Sequence, residues 1–131
     1  MNIVAGQRAK TCFQEDNPEL GIVRRAAIEF FGTAFLMLAA TGAGLTSHRL
    51  LRDSIGLGLF ISAIATAGSL VALIFAFGSA SGGHFNPLIT VLQWLSGERK
   101  LNCTVAYAVG QFGGAIAGVL TANVLSRQQR W

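Results

Sequence analysis

Three long apolar runs, separated by short polar stretches, organise this chain. The first covers 26–45, and its only ionisable residue is Glu29. The second covers 55–77, and no ionisable residue occurs from Ile55 to Gly83. The third covers 101–125 and ends just before Arg127 and Arg130. Each run is close to or above the roughly 20 residues that a helix needs to cross a bilayer. The pattern between the second and third runs is different. Gly78 to Phe85 is small and flexible, Asn86-Pro87 follows, and a short apolar stretch leads to Ser96-Gly97-Glu98-Arg99-Lys100. Asn is a preferred N-cap and Pro is favoured at the first helical position, so this spacing predicts a short helix over 86–96, with Gly97 ending it at C′. At 1.5 Å per residue such a helix covers about 15 Å, half the hydrocarbon thickness. A half-membrane helix starts at mid-depth, where its free N–H groups need protein or water; irregular backbone there lines a cavity or a site.

Composition strengthens the membrane reading. The chain of 131 residues is 52% hydrophobic and 12% charged, with a mean hydropathy of +0.52, against about a quarter charged in soluble domains. The expected fold class is an all-α membrane protein with three transmembrane helices and one re-entrant half-helix. The expected organisation is a cytoplasmic tail over 1–23, with a short helix starting at Asn17-Pro18-Glu19, a half-channel over 24–126, and a tail over 127–131. No apolar segment fit for a cleavable leader occurs in the first twenty residues, so the first span is expected to direct its own insertion.

The net charge of +4 sits beside the apolar runs. It is read as interfacial anchoring rather than nucleic-acid binding. With the N-terminus inside, Arg24, Arg25, Arg99 and Lys100 flank the inner ends of the spans, and Arg49, Arg52, Arg127 and Arg130 flank the outer ends. Only Arg8 and Lys10 tip this balance inward, and so weak a bias permits insertion in both orientations. Cys12 and Cys103 match no metal or redox spacing, so free thiols are expected. Gly110, Gly114 and Gly118 form a GxxxGxxxG stripe that lets another helix approach closely.

The segment SGGHFNPLIT, 81–90, resembles the first signature of the major intrinsic proteins, the aquaporins and aquaglyceroporins, usually SGxHxNPAVT. AIEFFGTAFL is similar to that family's first helix, and AYAVGQFGGAIAG to its third. The resemblance covers 24–125, one of the two inverted halves a family member normally has, and the fold it implies is one such repeat. The second helix looks more like bacterial aquaglyceroporins, because Thr66 stands where strict water channels commonly carry an aromatic that narrows the filter.

The resemblance implies roles for single residues. Asn86 would turn its amide donor into the lumen at the positive end of the half-helix, orienting water and repelling cations. Gly82, Gly83, His84 and Phe85 would supply a rail of backbone carbonyls, with Pro87 starting the helix. Leu88 replaces the family's usual Ala and adds bulk. Ile89 stands where second-half loops carry a filter Arg, so two copies of this chain would lack that group. Glu29 and Gln111 are expected to brace the loop. Glu29 has a competing reading as a proton-coupling site, because intramembrane carboxylates are functional by default. His84, with no acidic or cysteine partner, is read as a brace rather than a relay or metal ligand. No metal and no cofactor is expected.

The function expected is a passive channel for water or small neutral solutes such as glycerol, in a bacterial inner (plasma) membrane. Its expected partners are lipid, the permeating solute, and a second half-channel chain. That chain would be an oppositely inserted copy, as a dimer or a tetramer of dimers, or a complementing half encoded elsewhere. The alternatives are a truncated, non-conducting fragment and a proton-coupled antiporter using Glu29. An enzyme is not expected, since no nucleophile, base and orienting group recur together.

Overall fold

A computed structural model describes residues 20–128. Four helices and no strand make up the described chain: α1 (Ile22–Leu50), α2 (Ile55–Ser81), α3 (Pro87–Leu95) and α4 (Leu101–Gln128). Three of them, α1, α2 and α4, are long and apolar enough to cross a membrane. At nine residues, α3 reaches about 14 Å, too short to span. The long helices outrun the apolar runs that define them. α1 begins at Ile22 and ends at Leu50 rather than covering 26–45; α2 continues to Ser81 and α4 to Gln128. Polarity marks where a bilayer ends, but only a breaker ends a helix. Thr46-Ser47-His48-Arg49 contains none, so the backbone hydrogen bonds continue past the apolar boundary.

The ends of α3 are set by local chemistry. Asn86 is extended (φ −149°, ψ 119°), and its side chain accepts the Leu88 N–H at 2.9 Å, with Pro87 in the first turn. At the other end, Gly97 takes φ 73°. Its N–H bonds the Trp94 carbonyl at 3.0 Å, and the Glu98 N–H bonds the Gln93 carbonyl at 3.0 Å. That pair of bonds is a Schellman motif with Gly97 at C′.

α1 packs against both α2 and α4, and α3 rests on α4. The α1–α4 contact rests on the glycine stripe. A Cβ at Gly110 would come 2.7 Å from the Ala26 carbonyl oxygen. One at Gly114 would meet the Phe30 carbonyl, and one at Gly118 the Ala34 carbonyl. Both helices advance by four residues per contact, so they run in the same direction with their backbones touching.

The interior is inverted relative to a soluble domain. Among the described residues the buried set is mostly polar, including Glu29, Ser81, His84, Thr90, Thr104 and Gln111, while Phe75 is 86% and Leu59 is 67% exposed. None of the most apolar stretch of α2 is buried within the chain. Such a surface suits lipid or a partner, not water. One sequence expectation is overturned. Cys103 is disulfide-bonded rather than a free thiol; Cys12 lies outside the described residues, as does the short helix expected at Asn17. Arg25 and Arg99 are buried within the chain, at 2% and 5% exposure.

Candidate functional site

The loop between α2 and α3 turns back into the protein because glycine allows it. Gly82 (φ 92°) and Gly83 (φ 62°) take left-handed backbone that costs other residues free energy. Phe85 follows at φ 45°, the one non-glycine residue with positive φ among the described residues. A bulky residue there is strained and needs its surroundings to hold it. The surroundings are visible: the Phe85 N–H donates to Glu29 at 2.7 Å. Its ring is 3% exposed and occupies the space that a side chain at Gly32 would need. It also meets the Phe77 ring edge to face at 6.4 Å.

Glu29 is the hub. It is fully buried and accepts four hydrogen bonds, which match the lone-pair sites of a carboxylate. One oxygen takes the Ser81 hydroxyl at 2.7 Å and the His84 N–H at 3.1 Å. The other takes the Phe85 N–H at 2.7 Å and the Gln111 amide at 2.8 Å. Two loop N–H groups, which would otherwise be orphaned at membrane depth, therefore end on one side chain of α1. Gln111 also donates to the Thr90 hydroxyl at 3.0 Å, which ties α4 to α3. Tyr107, one turn before Gln111, donates its hydroxyl to the Ser81 carbonyl at 2.7 Å.

His84 is also held at both ring nitrogens. Nδ1 lies 3.1 Å from the Thr90 hydroxyl and Nε2 lies 3.2 Å from Arg99. Thr90 in turn donates to the Asn86 carbonyl at 3.2 Å. Among the described residues no cluster of three His, Cys, Asp or Glu is placed to hold a metal ion.

The network brings Gly82 to Ile89 together with Glu29 and Gln111. Within the loop, Gly83, His84 and Phe85 are buried, whereas Gly82 and Asn86 are exposed. Pro87 is half-buried, and Leu88 and Ile89 stand 65% and 44% exposed on the free side of α3. The Phe85 side chain is packed inward. Thr66 is not part of this cluster. It is half-buried on α2, and its hydroxyl donates to the Ser62 carbonyl one turn earlier at 2.8 Å. Four members escaped the sequence reading as individual site residues: Ser81, Thr90, Arg99 and Tyr107. Tyr107 had a usable signal, since it shares a face of α4 with Gln111 at i, i+4.

The geometry can be compared with known proteins. The sequence profile of the family described as "Major intrinsic protein" matches residues 17–130. Aquaglyceroporin AqpS of Rhizobium meliloti (strain 1021) is 36% identical over 107 residues, covering 82% of this chain and 46% of the relative. Aquaporin Z of Photorhabdus laumondii subsp. laumondii is 31% identical over 104 residues, covering 79% of this chain and 43% of the relative. The chain spans about half the length of these curated relatives.

Proposed function

The chain belongs to the major intrinsic protein family and is an integral membrane protein, and from this premise we propose that it is half of a passive channel for water or small neutral solutes, completed by a second half-channel. One observation carries the reading. The N-terminus of a half-length helix, capped by Asn86, is fixed by a buried carboxylate hub and left exposed at its tip. That helix end bears roughly half a positive elementary charge. The Asn86 oxygen is committed to the Leu88 N–H, so its amide nitrogen is the group left to donate to a passing solute. Donor and dipole together favour a neutral acceptor oxygen and disfavour cations.

The same exposure requires a partner. Gly82 and Asn86 facing hydrocarbon would cost several kcal/mol per unsatisfied polar group. A second copy inserted in the opposite orientation would bring its own half-helix end to mid-membrane. With Leu88 and Ile89 on both loops, such a pore has no loop arginine beside the Asn-Pro pair. It is expected to exclude cations less strictly than a pore carrying one. The antiporter reading is not favoured, because both Glu29 oxygens are already taken by four protein donors and none of its surface is open.

Stopped-flow light scattering on liposomes holding the purified protein tests the channel. Asn86→Asp keeps the oxygen that caps Leu88 but replaces the amide donor with a second acceptor. Water flux well above that of empty vesicles is expected from the wild type, with a fall of about tenfold in Asn86→Asp, the scale of losing one hydrogen bond. Equal flux from the two proteins would remove Asn86 from the mechanism.

A further inference from the structure

Arg99 lies outside the carboxylate hub, yet it reaches the loop from the far end of α3. The Schellman turn at Gly97 folds it back, and it is 5% exposed. Its Nη2 sits 2.8 Å from the Gln93 side-chain oxygen and 3.2 Å from His84 Nε2. Its guanidinium carbon lies 4.7 Å from the centroid of the Tyr107 ring, which also meets the His84 ring edge to face at 6.0 Å.

A guanidinium has donors only. The His84 nitrogen facing it must therefore accept, which puts the imidazole proton on Nδ1. Nδ1–H then donates to Thr90, whose oxygen also accepts from Gln111. The Thr90 proton is thereby left for its two acceptors, of which the Asn86 carbonyl at 3.2 Å is nearer than the Gln111 side-chain oxygen at 3.4 Å. The other tautomer reverses this chain. Nε2–H would face the Arg99 donors, Nδ1 would accept the Thr90 proton, and Asn86 would lose its hydroxyl partner. We propose that Arg99 is a positioning residue that selects the Nδ1–H tautomer of His84 and so fixes the Asn86 cap from the opposite end of the half-helix. The inference deepens the channel reading, but its main test does not depend on conduction.

The sequence holds two histidines, so a His48→Asn background isolates His84. Solid-state nitrogen-15 NMR of the full chain, imidazole-labelled and in lipid bilayers, distinguishes a protonated from a bare nitrogen at each position. The background protein is expected to show Nδ1 protonated and Nε2 bare. Arg99→Met keeps the length of the side chain without its donors, and is expected to shift the tautomer ratio toward Nε2–H by on the order of tenfold or more. Arg99→Lys, which retains a cationic donor, is expected to hold Nδ1–H. Nε2–H in the background protein, an unchanged ratio in Arg99→Met, or a Lys spectrum matching that of Met each overturns the proposal. If Arg99→Met does not fold, the background and Lys spectra decide. Absence of water flux from all forms would overturn the channel reading while the tautomer result stands on its own.

Discussion

Replacing Glu29 with alanine is expected to leave the chain unable to hold its loop, with a loss of roughly 4 kcal/mol or more in stability, since each buried donor left unsatisfied costs about 1–3 kcal/mol. Four donors lose their acceptor at once: the Ser81 hydroxyl, the His84 and Phe85 N–H groups, and the Gln111 amide. A single interhelical hydrogen bond in a membrane protein is worth about 0.6–2 kcal/mol. The larger figure is expected because the donors are buried and no water can replace the carboxylate. Phe85 adds to the effect, since Glu29 holding its N–H is one of the contacts that retain its positive φ. Glu29→Gln keeps the volume but turns one oxygen into a donor that faces two donors, so it is expected to rescue little. Unfolding titrations with a denaturing detergent, followed by circular dichroism, would measure both. A Glu29→Ala protein as stable as the wild type would show that the loop is held by something else.

The second large effect is expected at the α1–α4 contact. Gly114→Ala and Gly118→Ala each place a methyl group against backbone carbonyls of α1, at Phe30 and Ala34. Backbone cannot move aside as a flexible side chain does, so the helices must separate along the stripe. Each substitution is expected to cost about 3 kcal/mol, the upper end for overpacking. The pair together is expected to cost more than either, and to pull Gln111 away from Glu29, because Gln111 and Gly114 lie on the same helix one turn apart. Gly44→Ala is the control. A side chain there meets nothing within 4 Å, and replacing a helical glycine is expected to add about 0.5–1 kcal/mol of stability. The same titration reads all four proteins, and equal midpoints for Gly114→Ala and Gly44→Ala would contradict the packing.

What was legible in the sequence was local. Asn86-Pro87 announces a helix start, and Gly97 its end, because caps depend on neighbouring backbone and not on the rest of the fold. Glu29 and Gln111 stand out because a polar group in an apolar run has to be satisfied by something. The rest depended on tertiary placement. Ser81 and Thr90 look like ordinary loop hydroxyls until the fold brings them to Glu29 and Gln111. Arg99 reads as one more interfacial cation in Gly97-Glu98-Arg99-Lys100; the turn that buries it against Tyr107 is visible only in three dimensions. Cys103 has no telling spacing, and disulfide pairing follows proximity in space rather than in sequence. The long helices run past the apolar spans because charge marks the membrane boundary and not the limit of backbone hydrogen bonding.

Completion of the proposed pore by a second, oppositely inserted copy is open to direct test. It is tested by placing one cysteine at Gln128, which is exposed at the end of α4, in a background with Cys12→Ser and Cys103→Ser. Sealed vesicles from cells making this protein are then treated with a membrane-impermeant thiol reagent, before and after permeabilisation. Inverted pairing predicts that about half of the Gln128→Cys chains label in sealed vesicles and the remainder only after permeabilisation. Labelling of all chains from a single face would contradict an inverted pair of identical copies.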